Sequence, residues 1–196
     1  MSRVFHELPI IEDVGAGRYP APELGGPLRT TIRKIAVADS LTGAEAELVA
    51  GLDLGARLAL VGDENTWPVL GARVAAALPG AQAILLDHPK ADEAHADLLQ
   101  ERARHADALV AVGSGTLNDL CKYVTHRTGR RCAVFATAPS MNGYVTSTAS
   151  ITGPATDNDV GKDIIVQRMG VKAINAVTES MQIGDEVTRH LGLKLT

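Results

Sequence analysis

Between residues 57 and 136 the chain alternates short apolar runs with stretches of helical periodicity, and that alternation constrains the fold more than any other feature. The apolar runs fall at Arg57 to Gly62, Ala83 to Leu86, Ala108 to Val112 and Cys132 to Ala136. Runs this short and this continuously apolar read as strands covered on both faces, which means a parallel α/β sheet with helices on both sides. Before and between them the spacing predicts four helices. One runs from Thr42 to Leu52 with Thr42 as its cap, and a second is capped by Asn65 or Thr66, presents Leu70, Val74, Ala77 and Leu78 on one face, and stops at Gly80. A third, Ala91 to His105, faces Ala94, Leu98 and Ala103 inward. The fourth, Thr116 to Thr128, buries Leu117, Leu120, Cys121 and Val124 and ends at Gly129.

The flanks differ in character. The first thirty residues are rich in Pro and Gly and read as an irregular lead-in, followed by a strand at Thr31 to Ala38. Gly153 to Asp163 is polar and turn-rich; beyond it Val166, Met169, Ala173, Ile174, Val177 and Met181 fall at helical spacing, as one amphipathic helix broken near Gly184 would. The reading divides the chain into an NAD(P)-binding α/β domain over 1–152 and a linker with helical tail over 153–196.

Bulk properties exclude several classes. A net charge of −4 without a basic cluster argues against nucleic acid as a partner. No apolar run reaches the length of a membrane span, and Met1 to Ile11 lacks the apolar core of a signal peptide, so the expected address is the cytoplasm. Cys121 and Cys132 lie in no metal-ligand or redox spacing and are expected to be reduced thiols in or near the core. The expected partner is a small molecule, with association into a homo-oligomer left open.

In parallel sheets ligands sit at the carboxyl ends of the strands. Asp63, the 113–119 turn and the 137–146 segment all follow strand ends and can border one crevice. Gly113 and Gly115 lead straight into a helix, where free N–H groups and the dipole suit a phosphate and where a Cβ would collide with the ligand. The spacing is neither the dinucleotide fingerprint nor a P-loop, and such turns are about as often plain connectors. Asp119 is equally readable as a carboxylate serving the helix dipole, and Lys122 as a solvated residue. Asp63 can accept from ribose hydroxyls or serve only as a turn residue. Thr137-Ala138-Pro139-Ser140-Met141-Asn142-Gly143-Tyr144, followed by Thr146, Ser147, Thr148 and Ser150, supplies hydroxyl and amide groups without charge; a Ser/Thr-rich turn is the plain alternative.

Taken in order, these pieces resemble a known family. Gly113-Ser114-Gly115-Thr116-x-x-Asp119-x-x-Lys122 is similar to the glycine turn of the iron-containing alcohol dehydrogenase and dehydroquinate synthase superfamily. The Thr137 to Tyr144 loop resembles its glycerol-1-phosphate dehydrogenase branch, over about Leu58 to Ile151. The resemblance implies a dehydroquinate synthase-like N-terminal domain. It implies that Asp63 contacts the adenosine ribose of NAD or NADP. Gly113, Ser114, Gly115, Thr116, Leu117, Asn118 and Asp119 would form the pyrophosphate turn. Thr137, Ala138, Pro139 and Ser140 would line the nicotinamide side, with Thr146 adding a contact. The implied reaction is NAD(P)H-dependent reduction of dihydroxyacetone phosphate to sn-glycerol 1-phosphate, assisted by a divalent metal (Zn, Ni or Fe) as Lewis acid.

Two departures stand out. Asn142 replaces the usual substrate-contacting Asp, and no stretch after Ile151 resembles the helical domain that supplies an Asp and two His to the metal. His190 and Asp185 alone would make a poor site, so no metal ligand is assigned. The expectation is a glycerol-1-phosphate dehydrogenase-like oxidoreductase that keeps its cofactor crevice and stops short of its metal site. The alternatives are a non-catalytic nucleotide-binding module and another metal-dependent polyol dehydrogenase of the superfamily.

Overall fold

The computed structural model describes residues 40–138, 144 and 148–153, the backbone of 164–168, and residues 13, 16, 18–20, 26, 27 and 36. The elements in order are α1 (Glu45–Ala50), β1 (Leu58–Asp63), a π-helical turn (Trp67–Gly71) running into α2 (Ala72–Ala77), β2 (Gln82–Leu86), α3 (Glu93–Arg102), β3 (Ala108–Gly113), α4 (Gly115–Arg127), β4 (Arg131–Ala136), β5 (Thr148–Thr152) and β6 (Ile164–Arg168). The strand expected at Thr31 to Ala38 and the tail beyond Arg168 lie outside the described residues.

Four strands form one parallel sheet in the order β2-β1-β3-β4. The predicted α/β class therefore holds, and each of the four strands predicted between residues 57 and 136 is present within a residue or two. From β1 the chain moves outward to β2, then crosses back to β3 and continues to β4. Right-handed crossovers that move in opposite directions place their helices on opposite faces. The core divides accordingly. Ala59, Val61, Leu109 and Ala111 pack beneath α3, α4 and β5 with Leu99, Leu117, Leu120, Val124 and Ile151. Leu60, Ala108, Val110 and Val112 pack beneath α1 and α2 with Leu48, Val49 and Val74. All six residues of β3 are buried, as the alternation of a strand covered on both sides requires. Each fully buried Leu contributes about 1.5–3 kcal/mol, so the central pair β1 and β3 anchors the domain.

Several local expectations are corrected. Thr42 is not the cap of α1, which begins at Glu45 after Ala44 without a side-chain cap. In α3 the inward face is Ala96, Leu99 and Ala103, while Ala94 is exposed and Leu98 is 42 % exposed. Both stripes obey helical spacing; α3 buries the second, and Asp92 caps its start by accepting from the N–H of His95 at 2.9 Å. On this orientation Glu93 and Asp97 pair with Arg127 of α4. Val166 does not open a helix: Ile164–Arg168 is a strand paired antiparallel with β5. The β-branched run Ile164-Ile165-Val166 favours extended backbone, and pairing with β5 decides it.

Candidate functional site at the carboxyl edge of the sheet

The strand order reverses between β1 and β3, and the helices that follow them leave toward opposite faces. A crevice opens at such a switch point, outside the carboxyl ends of the two strands. Asp63 ends β1 and Gly113 ends β3, each two residues past the paired Val61 and Ala111. On the next strand Ala136 pairs with Gly113, and the N–H of Thr137 donates to the Gly113 carbonyl at 3.2 Å. Asp63, the glycine turn and Thr137 thus share one edge.

The start of α4 is the chemically open part of that edge. The N–H of Asn118 is the first to bond back, to the Ser114 carbonyl at 3.0 Å. The N–H groups of Gly115, Thr116 and Leu117 have no acceptor within the helix. Ser114 precedes them in extended conformation and its hydroxyl makes no cap, nor is there an acidic side chain in the first turn. Three donors without an acceptor among the described residues, at the positive end of a thirteen-residue helix, make a seat for an anion. Gly113 has a packing duty beside the expected one. A Cβ there would overlap Leu117 Cδ1 and stand 3.1 Å from Leu117 Cβ. The missing side chain lets α4 pack tightly on β3, and a ligand clash is not needed to explain the glycine.

Asp63 fulfils its turn role and retains capacity for more. Its Oδ1 accepts from the N–H groups of Asn65 at 3.0 Å and Thr66 at 2.7 Å, while its own N–H donates to Thr66 Oγ1 at 3.1 Å. Thr66 stands at the cap position, but the capping oxygen is that of Asp63, not of Asn65 or Thr66. Among the described residues Oδ2 accepts nothing, which leaves one carboxylate oxygen for a hydroxyl donor. Beside it Glu64, Asp87 and His88 converge after β1 and β2, with His88 Nδ1 2.6 Å from Glu64 Oε1. This cluster escaped the sequence reading; the signal was that both groups follow neighbouring strand ends.

Asp119 and Lys122 are not surface residues. They are 9 % and 7 % exposed, within the buried side of α4. Asp119 Oδ2 accepts from the Ser150 N–H of β5 at 3.2 Å, and Oδ1 accepts from Asn118 Nδ2 at 3.1 Å. Burial pushes the Asp119 carboxyl up from its ordinary value and the Lys122 ammonium down, and the opposite charge of each partner works against that shift. Leu117 and Asn118 are also buried, so this turn offers a ligand its backbone rather than these side chains. Thr137 and Ala138 are half-buried at the end of β4. The hydroxyl of Tyr144 donates to the Ala138 carbonyl at 2.9 Å and lies 3.4 Å from that of Gly113, a role the sequence did not reveal. Pro139, Ser140, Asn142 and Thr146 lie outside the described residues.

A doubly wound α/β domain with an anion-seating turn at its switch point is the class this geometry defines. The sequence profile of the iron-containing alcohol dehydrogenases matches residues 36–164, and the chain belongs to that family. It is 29 % identical over 132 residues to a glycerol-1-phosphate dehydrogenase [NAD(P)+] of Bacillus licheniformis, covering 62 % of this chain and 32 % of the relative. Its identity to the enzyme of the same name from Halalkalibacterium halodurans is 30 % over 102 residues, 47 % of this chain and 26 % of the relative. The matches thus span about a third or less of these relatives. Among solved structures it is similar to a maleylacetate reductase from Agrobacterium tumefaciens, with TM-score 0.52 and 20 % identity over 65 % of this chain and 35 % of that one. It is also similar to a probable glycerol dehydrogenase from Sinorhizobium meliloti, with TM-score 0.50 and 22 % identity over 65 % and 34 %. These structures share the fold.

The described residues fit a dinucleotide: donors without helical acceptors, no first-turn carboxylate, and a carboxylate oxygen available on the adjacent strand end. A catalytic metal fits them poorly. Among the described residues, one group of three potential ligands converges, Glu64, Asp87 and His88, and all three are exposed. A Lewis-acid site needs ligands held in a shielded pocket with an open position toward substrate, and this surface cluster provides neither. No helix among the described residues is long and apolar enough to cross a membrane.

Proposed function

We propose that this chain builds the NAD(P)-binding half of a glycerol-1-phosphate dehydrogenase-type oxidoreductase acting on dihydroxyacetone phosphate. The observation that carries the reading is the set of first-turn N–H groups of α4, opening at the switch point beside Asp63, in a chain of this family. The N–H groups of Gly115, Thr116 and Leu117 hold the pyrophosphate. Asp63 Oδ2 accepts a ribose hydroxyl while its Oδ1 stays on the turn. Thr137 and Ala138 face the nicotinamide half, with Pro139, Ser140 and Thr146 completing that side and Asn142 hydrogen-bonding a substrate hydroxyl. A bound reduced nicotinamide supplies the hydride for carbonyl reduction. The acidic rim of Asp63, Glu64 and Asp87 repels a 2′-phosphate, so NAD is preferred over NADP.

Titration of NADH fluorescence in the full chain, with and without Zn²⁺ or Ni²⁺, tests the reading. Binding that ADP-ribose displaces is expected, and absence of NADH binding at millimolar concentration overturns it. Indifference to metal is what the exposed Glu64, Asp87 and His88 cluster predicts; NADH binding indifferent to dihydroxyacetone phosphate would favour a nucleotide-binding module instead.

A further inference from the structure

Asp119 stands at an odd place for a cofactor ligand. Its carboxylate lies one turn beyond the open N–H groups, 9 % exposed, with both oxygens taken by Ser150 N–H and Asn118 Nδ2. The Ser150 bond spans 31 residues in sequence and fastens β5 onto α4. β5 itself seats Ala149 and Ile151 in the core beneath α4, so Ser150 N–H is the polar link in an otherwise apolar contact. Upstream on the same stretch of chain, Tyr144 places its hydroxyl on the carbonyl of Ala138, 2.9 Å away. Ala138 follows Thr137, whose N–H is on Gly113. One tie thus holds Ser150 on α4, and another, from Tyr144 six residues earlier in the chain, holds Ala138 at the end of β4.

We propose that Asp119 is a positioning residue, which holds β5 on α4 and through Tyr144 fixes Thr137 and Ala138 where the nicotinamide half of the cofactor lies, without itself touching the pyrophosphate. The inference rests on the cofactor reading above. It divides the edge into two parts that respond differently to substitution. The anion seat is backbone of α4 and does not need Asp119. The β4 end needs it. Burial of the carboxylate, opposed by the buried Lys122 one turn along, is what a structural tie requires: a charge kept from water survives only with partners.

The test compares Asp119→Leu, Asp119→Asn and Tyr144→Phe in the full chain, by amide exchange of the 148–153 segment and by binding of NADH and ADP-ribose. ADP-ribose carries the ribose and pyrophosphate but no nicotinamide. Asp119→Leu is expected to speed exchange at Ser150 and its neighbours and to weaken NADH about tenfold, with ADP-ribose unchanged within about twofold. Asp119→Asn keeps one acceptor for Ser150 N–H but loses the acceptor for Asn118 Nδ2 and the charge beside Lys122, so it should fall between wild type and Asp119→Leu in exchange and in NADH binding. Tyr144→Phe should weaken NADH selectively without speeding exchange in β5, and should Asp119→Leu not fold, Asp119→Asn carries the test, since wild-type exchange and wild-type NADH affinity in that variant overturn the proposal. Equal weakening of ADP-ribose and NADH, or unchanged exchange in Asp119→Leu, overturns the proposal while the cofactor reading stands. A wild-type chain that binds neither nucleotide overturns both.

Discussion

The two central strands are joined at both ends, in opposite ways. At the amino end Asp107, just before β3, is saturated. Its Oδ2 accepts from the N–H groups of Ala56 at 3.1 Å and Arg57 at 2.9 Å, and its Oδ1 pairs with the Arg57 guanidinium at 2.5 Å. Gly55, at φ +93°, is required there because a Cβ would come 2.6 Å from Asp107 Cβ. At the carboxyl end, among the described residues, the first donors of α4 find no acceptor and Asp63 commits one oxygen of two. One end is closed by its own groups; the other keeps, among the described residues, hydrogen-bonding capacity that the proposed nucleotide would take up. Unmet hydrogen-bonding capacity, more than any residue type, marks the functional edge.

The largest expected effect is at Gly113. Gly113→Val forces a side chain into Leu117 and should cost about 2 kcal/mol of stability as an overpacked core contact does. Denaturant melts check this, and a loss confined to nucleotide binding would show that the glycine serves the ligand instead. Next comes Thr116→Glu, which places a carboxylate among the open donors. The helix gains about 0.5 kcal/mol from its dipole, while NADH binding falls about tenfold or more, near 1.4 kcal/mol. The opposite signs are the point: a structural helix start would show the gain alone.

The sequence made the strands legible and the polar economy illegible. A strand buried on both faces has no other reading once turn residues bound it, so β1 to β4 could be placed, and with them the edge carrying Asp63, Gly113 and Thr137. Strand ends were placed short because Asp63 and Gly113 are not apolar, yet they still pair or pack as strand. The inward face of α3 could not be read, because Ala94 and Leu98 make as good a stripe as Ala96 and Leu99. Asp119 and Lys122 look like surface residues by type. Their burial depends on β5, which comes 29 residues after Asp119 begins its search for a partner and is fixed by tertiary packing. The same non-local pairing turns Ile164–Arg168 into strand where local spacing reads helix.

Asp63 tests the acidic side of the open edge. Asp63→Asn keeps an oxygen for the N–H groups of Asn65 and Thr66, so stability should change by less than about 0.5 kcal/mol. Removing the charge should shift the NADH-to-NADPH preference toward NADPH by about fivefold, on the order of 1 kcal/mol. Competitive binding of the two nucleotides measures it. An unchanged ratio would mean that Asp63 serves the turn only and the carboxyl end is less open than its geometry indicates.

The smallest effect is expected at the closed end and is visible through pH. The side-chain hydrogen bond from Arg57, followed by the backbone N–H groups, holds the Asp107 carboxyl at about 2, below its ordinary 3.8. A carboxyl with a lowered folded-state value binds its proton more readily when unfolded. Its stabilisation is therefore complete above the ordinary value and disappears as pH falls from about 4 toward 2. Asp107→Asn removes this titration, so wild type should melt higher than the variant at pH 6, with the gap narrowing steadily below pH 4. Thermal melts of both proteins across that range give the comparison. The pair is exposed enough for salt to weaken it, so 1 M NaCl should narrow the gap at pH 6 as well. A gap that stays constant from pH 6 to the acid limit would mean that shape alone joins the amino ends of β1 and β3, and that charge separates the two ends less sharply than their hydrogen bonds do.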